Sequence, residues 1–319
     1  SVTGTTTVTT DVADKTITLD TLASTGAVLL TTSGTVGNVL IDNGTTALDL
    51  GASTISGTLS ATSGAAAGIV DSGNVAVSGD VSLTTDANNG VINLGTLQQS
   101  GGDLILTTNG TGDATVVNNA AIDFGASNVG GALSATASAG TITQNGGALT
   151  VAGTSAFTTS TADQAITLSN TANALTGAVS LTTSGTAGHV TIDNGTTALG
   201  VQGTVSGDFA LTSGEALIDS AALSVTGTTT VTTDMADKTI TLDTLAPTGN
   251  VILKTSGTAG HVTIDSGTTA LGVQGTVSGN LVLTSGEAII DSDVLTVTGT
   301  TTVTTDVADK AITLGSLAS

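Results

Sequence analysis

Aspartate recurs in this chain at fixed places, so carboxylate chemistry is the first possibility to weigh. Asp11 and Asp14 stand in D-x-x-D-K ahead of Lys15, and the pattern returns as Asp234, Asp237 and Lys238 and as Asp306, Asp309 and Lys310. Oxygen donors repeated on stacked corners suit Ca2+, which makes these six aspartates the candidate metal ligands. Asp42, Asp193 and Asp265 share I-D-N/S-G, and Asp71, Asp219 and Asp291 share V/I-D-S. Aspartate ahead of Asn-Gly or Ser-Gly also shapes a turn, and neighbouring Asp and Lys make a solvated corner. The spacing favours that second reading. Equivalent aspartates are a whole repeat apart, about 15–19 Å along an axis rising ~4.8 Å per coil, too far to share an ion. The G-G-x-G-x-D calcium repeat is missing as well. Apart from that weak Ca2+ candidate, no cofactor is expected.

His189 and His261 are equivalent residues in GTAGHVTID, with Asn38 in their place nearer the amino terminus. Their separation excludes a shared metal, and an outward position at a strand entry is expected of both. Asn43, Asn109 and Asn194 each begin N-G-T, which matches a glycan acceptor and equally a plain turn.

Catalysis on a β-helix needs clustered carboxylates, or Asp beside Arg or Lys, and aromatic platforms when the substrate is a sugar. Among 319 residues there are four Lys (Lys15, Lys238, Lys254 and Lys310), no Arg, three Phe, and no Trp, Tyr or Cys. Acids copied evenly through a repeat leave no privileged cleft, and no catalytic residue or enzyme activity is expected. A net charge of −21 argues against nucleic acid and anionic membrane as partners. No apolar run reaches the length of a membrane span. Absence of Cys removes disulfides and thiolate metal sites, and it is common in exported bacterial proteins.

The groups above are positioned by an internal repeat. Residues 1–24 (SVTGTTTVTTDVADKTITLDTLAS) return at 296–319 with four differences, and further copies open at Val77, Val151 and Val225. Units therefore run 2–76, 77–150, 151–224 and 225–296, about 74 residues each, with a partial copy at 297–319. A repeat that stops partway suggests a stretch of a longer array. Within each unit, apolar residues alternate over short runs, as in TITLDTL (16–22) and HVTIDNG (189–195), and Gly, Asn, Asp or Ser then interrupts. Period two over short runs means strands with one buried face, roughly eight per unit. Too few large side chains are present for a thick core, and sandwiches of this size would want aromatic or disulfide staples. A parallel β-solenoid needs only a thin aliphatic core and neighbour contacts. It would form one continuous body over 1–319, with three or four coils per unit, 13 to 17 coils and ~60–80 Å in all. Thr and Val ladders are expected along its faces.

The phrases GDLILTTNG (102–110), GALSATASAGTITQNGGALTVAG (131–153) and AVSLTTSGTAGHVTIDNG (178–195) resemble the repetitive rods of filamentous-haemagglutinin-type exoproteins. The resemblance implies a right-handed parallel β-helix and an adhesin secreted to the bacterial surface. On this reading the chain is a structural, adhesive rod mediating attachment or cell–cell contact. Its partners would be copies stacked along the axis, neighbouring rods, or a surface glycan or receptor. The alternatives are a self-assembling extracellular filament or sheath and, from T-x-T rows such as TTTVTT (5–10, 228–233, 300–305), an ice-binding solenoid.

Overall fold

Alternation in the sequence becomes alternation of burial. In Phe209–Ser213 the side chains of Phe209, Leu211 and Ser213 point inward, while Ala210 and Thr212 stay half exposed. β-branched Thr and Val suit this pleated, half-buried setting. The computed structural model describes residues 1–318, so Ser319, the end of the partial repeat, lies outside the described residues. It holds no helix among them and winds through about 14 turns of parallel β-solenoid. Two compact units share those turns, Ser1–Ser160 and Thr161–Ser319. The described strand pairings are all parallel, each joining a strand to one a turn away. The offset ranges from 18 residues, as for Leu199 opposite Leu217, to 24, as for Ile166 opposite Val190.

Each turn has two walls, and the chain crosses from one to the other every half-turn. A typical turn has one straight strand and one bent strand. In the second unit the bent strands Leu199–Val205, Leu217–Val225 and Ile240–Leu242 with Leu245–Pro247 stack on one wall. Opposite them stack the straight strands Phe209–Ser213, Thr229–Thr233 and Val251–Lys254. The bend in Leu199–Val205 falls at Gly203, whose φ of 117° requires glycine, and a Cβ there would collide with the Leu181 carbonyl. Two straight strands then follow in succession, Val251–Lys254 and Val262–Asp265. After them the bent strands Leu271–Val277 and Ile289–Val297 continue on the other wall.

The consequence is a repeat with an odd number of half-turns. Between Val190–Asp193 and its copy Val262–Asp265 the chain makes seven, so the two copies lie on opposite walls. In the first unit the same holds for Val39–Asp42 and Ala114–Asn118, which begin the related stretches 37–53 and 112–127. One repeat is thus three and a half turns, about 17 Å of axial rise. The loops between successive straight strands, 32–38, 110–113, 183–189 and 255–261, are where the bent strand changes walls. We call them switch loops.

Because the repeat is not one turn long, residues stacked on adjacent turns are mostly not copies of one another. The expected ladders are short: Thr9, Thr31 and Thr54 align, but Val190, Phe209, Thr229 and Val251 form a mixed column. The core between the walls is a single aliphatic layer that also buries all three Phe. Phe124 and Phe157 meet edge to face at 6.1 Å and 82°.

Candidate functional site

The recurring aspartates sit at corners, and most of them accept a backbone N–H. Asp14 has a left-handed backbone, φ 62°, and its Oδ1 accepts from the N–H groups of Thr35 (2.6 Å) and Val36 (3.0 Å) in the first switch loop. Asp237 (φ 64°) holds Thr258 and Ala259 in the same way at 2.6 and 2.8 Å, and Asp163 holds Thr186 and Ala187. Asn89 (φ 63°) supplies the same acceptor to Thr111. Backbone donors hold the carboxyls of Asp14, Asp163 and Asp237 below the usual carboxylate range. Asp309 has the same backbone, φ 65°. Asp11, Asp234 and Asp306 are exposed three residues earlier at these corners.

The other two sets act likewise. Asp42, Asp193 and Asp265 each accept from the N–H two residues on, at Gly44, Gly195 and Gly267, closing their own turns. Asp71, Asp219 and Asp291 reach the bend of the next turn, at Gly95 and Thr96, Asp243 and Thr244, and Ser316. Their settings differ. Burial pushes Asp219 up despite its two backbone donors, whereas the Ser316 N–H pulls the half-exposed Asp291 down. Two of the three lysines of D-x-x-D-K reach back to the previous turn, while Lys15 helps to lower Asp14 by its charge. Lys238 and Lys310 each pair with a glutamate one turn earlier, Glu215 and Glu287, both at 2.7 Å. No group of three metal-capable side chains comes together among the described residues.

His189 and His261 stand at strand entries, and Nδ1 of each accepts a backbone N–H of the next turn, from Asp208 at 2.9 Å and Asn280 at 2.8 Å. Asn38 and Asp113 fill that position in the first unit and accept from Thr58 and Ala132. Asn43 and Asn194 are fully buried, which no glycan acceptor can be. Asn194 Oδ1 accepts from the Leu175 N–H, while its Nδ2 donates to the carbonyls of Leu175, Thr197 and Ala198. Asn109 alone of the three is exposed.

A further set escaped the sequence reading. Thr32, Thr183 and Thr255 are buried at the start of their switch loops, and Thr108 is buried just ahead of its own. Each donates its hydroxyl across the loop, to Gly37, Gly112, Gly188 and Gly260, and each accepts an N–H from the next turn. Thr followed by a glycine four or five residues on was the available signal, hidden by the general abundance of Thr.

These arrangements can hold a backbone in place. In the first unit a groove of about 350 Å3, lined by Thr54, Ser56, Ala76, Ser78, Gln98 and Asn119 among others, carries no titratable side chain. In the second unit the T-x-T copies Thr229–Thr233 and Thr301–Thr305 lie on opposite walls, so they do not join into one flat row.

No curated protein and no solved structure matches the chain. A family model described as repeats of unknown function, DUF5649, matches residues 36–107, 111–182, 187–257 and 259–318. Each match begins in or at the edge of a switch loop, so the family's unit coincides with the interval between changes of wall. With most of its length covered by four copies of that unit, the chain belongs to the DUF5649 repeat family.

Proposed function

We propose that the chain is a structural and adhesive segment of a large secreted bacterial surface protein, of the filamentous-haemagglutinin type, that mediates attachment or cell–cell contact. One observation carries this reading: the side chains that recur with the repeat (Asp14, Asp163 and Asp237, Thr183 and Thr255, Asn43 and Asn194) are all engaged in holding a loop, or the next or previous turn. Function then resides in stiffness and in surfaces presented many times, not in a catalytic centre. Backbone ladders between turns resist bending, and the negative charge keeps the surface hydrated.

A self-assembling extracellular filament or sheath is the second reading. It is favoured by the seven half-turn repeat, which offers the same surface on two opposite walls and so allows contacts to propagate sideways. Immunogold electron microscopy of the bacterium that makes the protein tests both. Label on separate surface projections supports the adhesive segment, and label along continuous fibres supports the filament. Label confined to the cytoplasm overturns both.

A further inference from the structure

The corner that closes each switch loop depends on a side-chain acceptor, and in the second unit that acceptor is an imidazole. His189 Nδ1 lies 2.9 Å from the Asp208 nitrogen, and His261 Nδ1 lies 2.8 Å from that of Asn280. Both donors are backbone N–H groups, so Nδ1 must be the unprotonated nitrogen and the ring hydrogen resides on Nε2. Gly207 and Gly279 leave the ring room: a Cβ on either would press against Nδ1. The charged groups facing His189 are Asp208 on the following turn, 3.5 Å from Nδ1, and Asp163 on the preceding turn. His261 faces Asp237 on the preceding turn, and the neutral Asn280 stands where His189 has Asp208.

We propose that His189 and His261 make these two corners acid-sensitive, protonation converting an acceptor of a backbone N–H into a competing donor and releasing the turn that follows. Imidazole is the side chain that ordinarily changes charge between about pH 5 and 8. The first unit provides the control within the same molecule, because the Asn38 amide oxygen accepts the Thr58 N–H at any pH in that range. The two histidine corners also differ. An imidazolium at His189 can turn to the Asp208 carboxylate, whereas one at His261 meets only the Asn280 amide at that position, so the His261 corner opens further.

Site-resolved amide hydrogen exchange on the whole chain, corrected for intrinsic rates, tests this at pH 8 and pH 5. Protection of the Asn280 N–H is expected to fall about tenfold, the loss of one net hydrogen bond. A smaller fall is expected at Asp208, and none at Thr58. The H261N variant carries the amide found at Asn38 and is expected to abolish the fall at Asn280. An unchanged Asn280 in the wild type, an equal fall at Thr58, or a fall that persists in H261N overturns the proposal.

Discussion

Two copies of one corner in the second unit, one turn before each Val-Thr-Ile-Asp strand and at its end, differ in a way that explains an otherwise odd residue. In the first copy Leu175 donates its N–H to Asn194 Oδ1, and the amide of Asn194 caps three carbonyls. Seventy-two residues later the same two places hold Pro247 and Ser266. Pro247 is the only proline in the chain and lies in a strand, where proline normally breaks the ladder. Here the missing N–H is one that a side chain, not a backbone carbonyl, would have accepted, so the ladder survives. With no donor at 247, an Asn at 266 would bury an unpaired Oδ1. Ser266 instead donates to the Thr269 carbonyl and needs nothing from Pro247. The difference shows that Asn194 acts as a surrogate backbone unit, and that it is worth keeping only while its partner can donate.

The largest effect that separates the corners is expected from truncation. Asn194→Ala strands one buried N–H and the carbonyls the amide caps, and should cost about 3 kcal/mol in urea denaturation of the whole chain. Ser266→Ala should cost about 1 kcal/mol, since a single hydroxyl bond is lost. A double-mutant cycle on Pro247→Leu and Ser266→Asn comes next. Ser266→Asn alone should destabilise, the pair together should not, and a coupling of about 1–2 kcal/mol is expected. Additive effects would mean that the two substitutions arose independently.

A smaller contrast divides Asp219 from Asp291. Asp291 is held below its unfolded value, so its contribution is present above the ordinary carboxylate range and is lost as pH falls through the lowered value. Asp219 is raised by burial, so ionising it weakens the fold as pH rises through the ordinary range toward its raised value. At pH 7, Asp291→Asn should therefore destabilise more than Asp219→Asn, and at pH 3 the order should narrow or reverse. Thermal melts of the two variants at both pH values check the sign.

Much of the architecture was legible in the alternating runs: TITLDTL and HVTIDNG read directly as half-buried strands, and the scarcity of aromatics excluded a thick core. The acids were legible as turn residues, since Asp42, Asp193 and Asp265 close the Asn-Gly or Ser-Gly turns that follow them. Longer-range roles were not, because Asp14 and Asp237 act on a turn about twenty residues on, and nothing local in D-x-x-D-K announces that distance. Asn194 misled for a different reason: N-G-T looks like a surface motif, and only the corner's geometry turns it inward. The number of half-turns was hidden because Gly203, which bends a strand within a wall, reads in sequence like the glycines that end one.

The central claim is that seven half-turns put successive copies on opposite walls. Ile218 and Ile290 are equivalent, both 44% exposed, and lie on opposite walls of the second unit. The chain has no cysteine, so nitroxide labels attached to the double variant Ile218→Cys, Ile290→Cys would be specific. With ~17 Å of axial rise, walls ~10 Å apart and labels pointing away from each other, dipolar spectroscopy should give a separation beyond about 25 Å. A separation near about 15 Å, as for copies stacked three turns apart on one wall, would contradict it.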